Sequence, residues 1–169
     1  MKKTLKKYIV PFFFLSLAMN AILIFLYFSE SKKEKDELGY AVNQVILNIN
    51  ETAHNLNNLD KNHPDYKNVL IAAQRNFAEN RGWINAHITE MPQNLASWNG
   101  GMEVGLGNGI YDVDAEVAKE TIEDIKNFGK GYDNERRQVN SVNEPYEALK
   151  IVENVISSKK YMGDNFIYK

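Results

Sequence analysis

The chain contains no cysteine among its 169 residues. Without a thiol it can form no disulfide, no thiolate metal site, no cysteine nucleophile and no lipid-modified cysteine. Histidine is also scarce: His54, His63 and His87 do not have the spacing of metal ligands. We therefore expect neither a disulfide framework nor a histidine metal site.

Motifs of catalysis and nucleotide binding are absent as well. There is no Gly-x-Ser-x-Gly elbow. Four acids fit the spacing of a calcium loop: Asp112, Asp114, Glu116 and Glu123. However, Val117 stands where that loop needs glycine, so we interpret the acids as a helix N-terminus. We predict no cofactor, no metal, no catalytic residue and a protein that is not an enzyme.

What the chain does have is a long uncharged run near its N-terminus. Residues 1–7 carry four lysines, and residues 8–28 carry no charge. At ~1.5 Å per residue, this run matches the roughly 30 Å hydrocarbon core of a bilayer. It is longer than the apolar part of a secretory signal peptide, although Ser16-Leu-Ala18 fits a cleavage pattern. We predict an uncleaved, single-pass signal-anchor at 8–28; a cleaved signal peptide is the alternative.

Charge and composition predict where each part lies. The lysine-only tail 1–7 favours a cytoplasmic N-terminus, which places residues 29–169 outside the cell. The 21 asparagines and the excess of lysine over arginine suggest a bacterial source. Removing the four lysines of the tail takes the net charge from −2 to −6 for residues 29–169. Such an acidic domain argues against nucleic acid as a partner.

Apolar residues beyond the anchor recur at alternating spacings of three and four, the heptad pattern of a helix seam in a coiled coil. Thr52, Asn80 and His87 lie within these stripes, so the seams are partly polar. The pattern predicts four outer helices, at about 29–60, 66–91, 112–128 and 141–162. We therefore expect an all-α fold, in which the transmembrane helix continues into an extracytoplasmic bundle of about four helices. Two hairpins would be joined by a glycine-rich connector at 98–112.

That connector reads "WNGGMEVGLGNGIYD" and holds five of the ten glycines. A nucleotide-binding turn would need a preceding strand or a following lysine, and neither is present. We interpret the stretch as a link that lets one helical pair fold back on the other. A ligand loop is the alternative, because Trp98 and Tyr111 flank the glycines and could form a contact surface.

Asn20 is the one amide within the uncharged run, and Ser16 lies one turn before it. A polar side chain in hydrocarbon is costly unless it finds a partner, so these two residues are candidates for pairing within the membrane. In a straight helix Asn20 points the same way as Leu38, five turns later. A partner helix could then follow both the anchor and the outer stripe; the alternative is that a single Asn is merely tolerated.

These features predict a membrane-anchored interaction protein of the bacterial envelope, a scaffold or regulatory subunit. Its expected partners are the lipid bilayer, other membrane or envelope proteins, and a second copy of itself. The first alternative is a ligand-sensing module with a pocket lined by Trp83, His87 or Trp98. The second is a cell-wall hydrolase, because the sequence gives no distances between carboxylates.

Overall fold

The computed structural model describes residues 2–57, 59–138 and 145–162, with side chains described for 11–57, 59–137 and 145–162. These residues form α-helices and no strand, which confirms the all-α prediction for these ranges. The helices are α1 (Lys2–Asn57), α2 (Tyr66–Ala86), α3 (Gln93–Ile110), α4 (Ala115–Gln138), α5 (Pro145–Ser157) and α6 (Lys159–Met162).

The chain divides into two compact units, residues 1–37 and residues 38–169. The first unit is helical, and its side chains from Phe12 to Phe28 are exposed. This helix is long and apolar enough to span a membrane. Beyond the apolar run, Lys33 and Glu37 form an ion pair of 3.6 Å one turn apart, which suits an exposed helix surface.

The second unit is built around an apolar core. Its part of α1 contributes the predicted stripe, with every apolar member at most 2% exposed: Leu38, Val42, Val45, Ile49 and Leu56. Residues from α2, α3, α4 and α5 complete the same core. The outer stripe of α1 is therefore covered within its own chain, and it does not offer a surface to a partner helix.

Polar residues within the stripes of α1 and α2 bond to one another. Asn48 Nδ2 donates to Asn80 Oδ1 at 2.9 Å, and Asn76 Nδ2 donates to Thr52 Oγ1 at 3.1 Å. Thr52 and Asn80 are buried, so each bond satisfies a group that would otherwise be costly in the core. Because these partners meet only in one alignment, the bonds fix the register of α1 against α2.

The glycine-rich stretch is helical, and the prediction of a connector at 98–112 is wrong up to Ile110. It forms most of α3, which ends at Ile110. Small residues here permit close approach: a side chain on Gly105 would overlap Thr121 of α4, and one on Gly109 would lie 2.8 Å from Leu70 of α2. Packing against α2 and α4 thus outweighs the poor helix propensity of glycine.

Two predicted helix ends also differ from the structure. α2 ends at Ala86 instead of Met91, and residues 87–90 form turns before Pro92, the residue that caps α3. α4 does not stop at Phe128 but continues to Gln138, and within this extension Gly131 leaves room for Val155 and Tyr161. The second unit therefore holds the end of α1 and α2–α6, in place of two hairpins of about four helices. Residues 141–144, the predicted start of the fourth helix, lie outside the described ranges.

Candidate functional site

Trp98 lies in the centre of the core and is fully buried. Its ring stacks on Phe128 at 4.9 Å between centroids and meets Phe77 edge-on at 5.7 Å. The indole Nε1 has no hydrogen-bond partner among the described residues, and neither does Asn99 Oδ1 beside it. Trp98 is therefore a packing residue of the core and is not exposed on the interaction or ligand surface that we predict for it.

The structure places Trp83 and His87 one turn apart on α2 and Tyr111 near the other end of that helix. Trp83 is half-buried on α2 and packs edge-on against Tyr40, and His87 caps the C-terminal end of the same helix. Tyr111 is exposed at the end of α3, beside the ion pair that joins Asp112 to the start of α2. Tyr111 lies near the start of α2 and His87 caps its end, so the two residues are separated by the length of the helix, roughly 30 Å. Tyr111 therefore lies apart from Trp83 and His87.

The outward side of α1 carries almost no charge. Within Leu38–Asn57, 20 residues, Glu51 is the only acid and there is no lysine or arginine. We call its exposed and half-exposed residues the charge-poor face: Gly39, Tyr40, Asn43, Gln44, Leu47, Asn48, Asn50, Glu51, His54, Asn55 and Asn57. Two large side chains stand out on it, because Tyr40 and Leu47 are each 57% exposed.

α4 differs from α1 in the charge of its exposed side. Eleven of the 24 residues in Ala115–Gln138 are charged, and all eleven are at least partly exposed. Protein interfaces are depleted of charge at their centre and enriched in aromatic residues, whereas ordinary surface is not. α3 is as poor in charge, with Glu103 its only charged residue, but Val104 is its only exposed large apolar side chain. The combination of little charge with exposed Tyr40 and Leu47 therefore marks the charge-poor face of α1 as a candidate protein-binding surface.

A groove of about 710 Å³ lies elsewhere, where the α1–α2 and α3–α4 turns meet. Leu59, Tyr66 and Ile122 supply apolar walls. The charged lining consists of three lysines and three acids: Lys61, Asp112, Glu116, Lys119, Glu123 and Lys126. This balance of charge favours no particular class of ligand.

The groove also gives no support to acid catalysis. A general acid needs a raised pKa, but the hydrogen bond from Lys67 Nζ, at 2.7 Å, and its positive charge lower the pKa of Asp112. Burial raises the pKa of Asp124 to about 6, with Glu120 and Glu123 adding to the shift. Asp124, however, does not line the groove. The described residues contain no group of acids or histidines that could hold a metal ion.

Ser16 and Asn20 lie on the exposed apolar helix of the first unit. They are one turn apart and so face nearly the same direction. Neither side chain forms a hydrogen bond with the residues that the structure describes. The pairing that we predict for them thus has no partner group among the described residues.

No family model matches the chain, and no curated protein or solved structure matches it either. Function is therefore inferred from the residues of this chain. Sequence reasoning overlooked Tyr40 and Leu47, because both lie off the apolar stripe that defines the helix. The signal that could have found them is the single acid within Leu38–Asn57.

Proposed function

We propose that this protein is a membrane-anchored, non-enzymatic interaction protein of the bacterial envelope, acting as a scaffold or regulatory subunit. Its partner binds the charge-poor face of α1. The observation that carries this proposal is a helix segment of 20 residues, Leu38–Asn57, that has one acid, no lysine or arginine, and two exposed large side chains, Tyr40 and Leu47.

The cost of covering a surface decides whether it can serve as an interface. A charged side chain loses its hydration when it is buried, and it must be paired to offset that loss. The charge-poor face avoids most of this cost, since its asparagines and glutamine are neutral. Burying the exposed part of Leu47 would add on the order of 1 kcal/mol of favourable free energy.

The anchor is supported by a helix whose length and composition suit a membrane span. The lysines of the tail 1–7 favour the cytoplasmic side, which would present residues 29–169 to the outside. An anchored domain meets membrane and envelope partners at raised effective concentration, so a modest interface is enough for stable association.

The experiment is to compare Leu47→Lys with Val104→Lys by co-purification from mildly solubilised membranes. Val104 is 68% exposed on α3 and lies outside the charge-poor face. We expect Leu47→Lys to lose the co-purified protein, because it places a charge at the centre of the interface, while Val104→Lys retains it. Equal retention by both variants, each folded to the same helix content, would contradict the proposal.

A further inference from the structure

Asn20 is placed where an amide is most costly. It lies two residues from the midpoint of the uncharged run 8–28, so in a membrane-spanning helix it sits roughly 3 Å from the bilayer centre. Its neighbours on either side are apolar, and its side chain is exposed. An amide left unbonded in hydrocarbon loses the hydrogen bonds that it makes with water.

We propose that the partner of Asn20 is Asn20 of a second copy of this chain, in a parallel dimer of membrane helices. This inference rests on the proposed anchor, but it is independent of the charge-poor face. Copies of one sequence insert in the same orientation, because the same lysines direct each of them. Equivalent residues therefore meet at the same depth around a twofold axis.

The chemistry of the amide suits this self-pairing. Each Asn side chain carries both donors and an acceptor, so two of them satisfy one another without any other group. A different membrane protein would have to supply its own polar residue at the same depth. Ser16, one turn away on nearly the same face, adds a small side chain that allows the two backbones to approach.

The proposed contact is limited to the membrane helix. The stripe of α1 from Leu38 to Leu56 is buried in the core of its own chain, so a second copy cannot use it. The dimer is therefore expected to depend on Asn20 and to be insensitive to changes in the outer unit.

The absence of cysteine makes disulfide cross-linking in native membranes a clean test. Ile24→Cys places a thiol about 40° from Asn20 around the helix, and Ile22→Cys places one about 200° away at a similar depth. We expect oxidation to yield a dimer with Ile24→Cys and little with Ile22→Cys. Adding Asn20→Leu should weaken the Ile24→Cys dimer roughly 3- to 30-fold, the range given by interhelical hydrogen bonds. Asn20→Gln should restore it.

Moving the asparagine to another face of the membrane helix tests the proposed pairing further. In the double variant Asn20→Leu with Ile22→Asn, the paired face should rotate, so that Leu26→Cys cross-links and Ile24→Cys does not. A dimer that is indifferent to Asn20→Leu would overturn the pairing, as would cross-linking of Ile24→Cys to a different protein. Release of the chain from membranes by an alkaline wash, or loss of residues 1–28 from it, would overturn the anchor and the pairing together.

Discussion

Gly105 of α3 packs directly against Thr121 of α4, so closely that a methyl group on Gly105 would overlap the threonine hydroxyl and both carbons of its side chain. Thr121 cannot easily turn away, because its Oγ1 donates to the carbonyl oxygen of Val117 at 2.7 Å. The glycine-rich helix is therefore held by contacts that only glycine allows.

We predict that Gly105→Ala lowers the free energy of unfolding by roughly 1–3 kcal/mol, the cost of overpacking a filled core. Gly100→Ala is the matched control on the same helix, since no atom lies within 4 Å of the added carbon. There alanine should raise the stability by up to about 1 kcal/mol through its better helix propensity. Chemical denaturation of the full-length protein in mild detergent measures both. Equal effects of the two changes would show that α3 does not pack as described.

The end of α3 depends on a left-handed residue that is not glycine. Asp112 has a φ of 54°, and the amide N–H of Val113 beyond it bonds to the carbonyl of Asn108 at 2.9 Å. This is the geometry that glycine usually adopts after a helix. We predict that Asp112→Gly leaves stability unchanged or slightly raised, whereas Asp112→Val lowers it by about 1–2 kcal/mol. Thermal unfolding distinguishes the two, and a Val variant as stable as the Gly variant would contradict the assignment.

The hydrogen bond between Asn48 and Asn80 should be measurable as a coupling free energy in a double-mutant cycle. Asn80 is fully buried, so Asn80→Ala leaves Asn48 without its acceptor and should cost about 1–3 kcal/mol. In a double-mutant cycle with Asn48→Ala, the two losses should be less than additive by at least 0.5 kcal/mol or so. Asn85→Ala, on the exposed side of α2, is the control and should change little. Strict additivity would mean that the two amides do not interact.

Asp124 should make stability depend on pH. Because its pKa is raised from 3.8 to about 6, the folded state binds the proton more tightly than the unfolded state does. The ionised carboxyl therefore destabilises the protein above pH 6, and this penalty disappears as the pH falls toward 4. Since the group is partly exposed, we expect Asp124→Asn to raise the free energy of unfolding by only about 1 kcal/mol at pH 7.

The gain in the free energy of unfolding from Asp124→Asn should shrink steadily between pH 6 and pH 4, because the native carboxyl becomes protonated in this range. Glu153→Gln, an exposed change on α5, should show no comparable gain at pH 7. Denaturation curves for both variants at several pH values provide the comparison. A gain for Asp124→Asn that is the same at pH 4 and pH 7 would contradict the burial of this carboxyl.

Local patterns in the sequence located α1, α2 and much of α4, because apolar spacing reports directly on which face of a helix is buried. α3 was missed since its glycines have poor helix propensity, and the contacts of Gly105 and Gly109 that compensate for it come from distant parts of the chain. Trp98 was assigned to a surface because the glycine-rich stretch that begins with it was interpreted as a connector and not as a helix. Leu47 was overlooked because it lies outside the apolar stripe, although the lack of charge around it was visible.

The central claim is that the charge-poor face of α1 binds another protein, and site-specific photo-cross-linking in native membranes tests it most directly. A photoreactive residue at position 47 should give a defined adduct with a membrane or envelope protein, and the same residue at position 104 should not. The adduct should survive Asn20→Leu, because the outer contact does not depend on pairing within the membrane. No adduct at position 47, or the same adducts at both positions, would contradict the account.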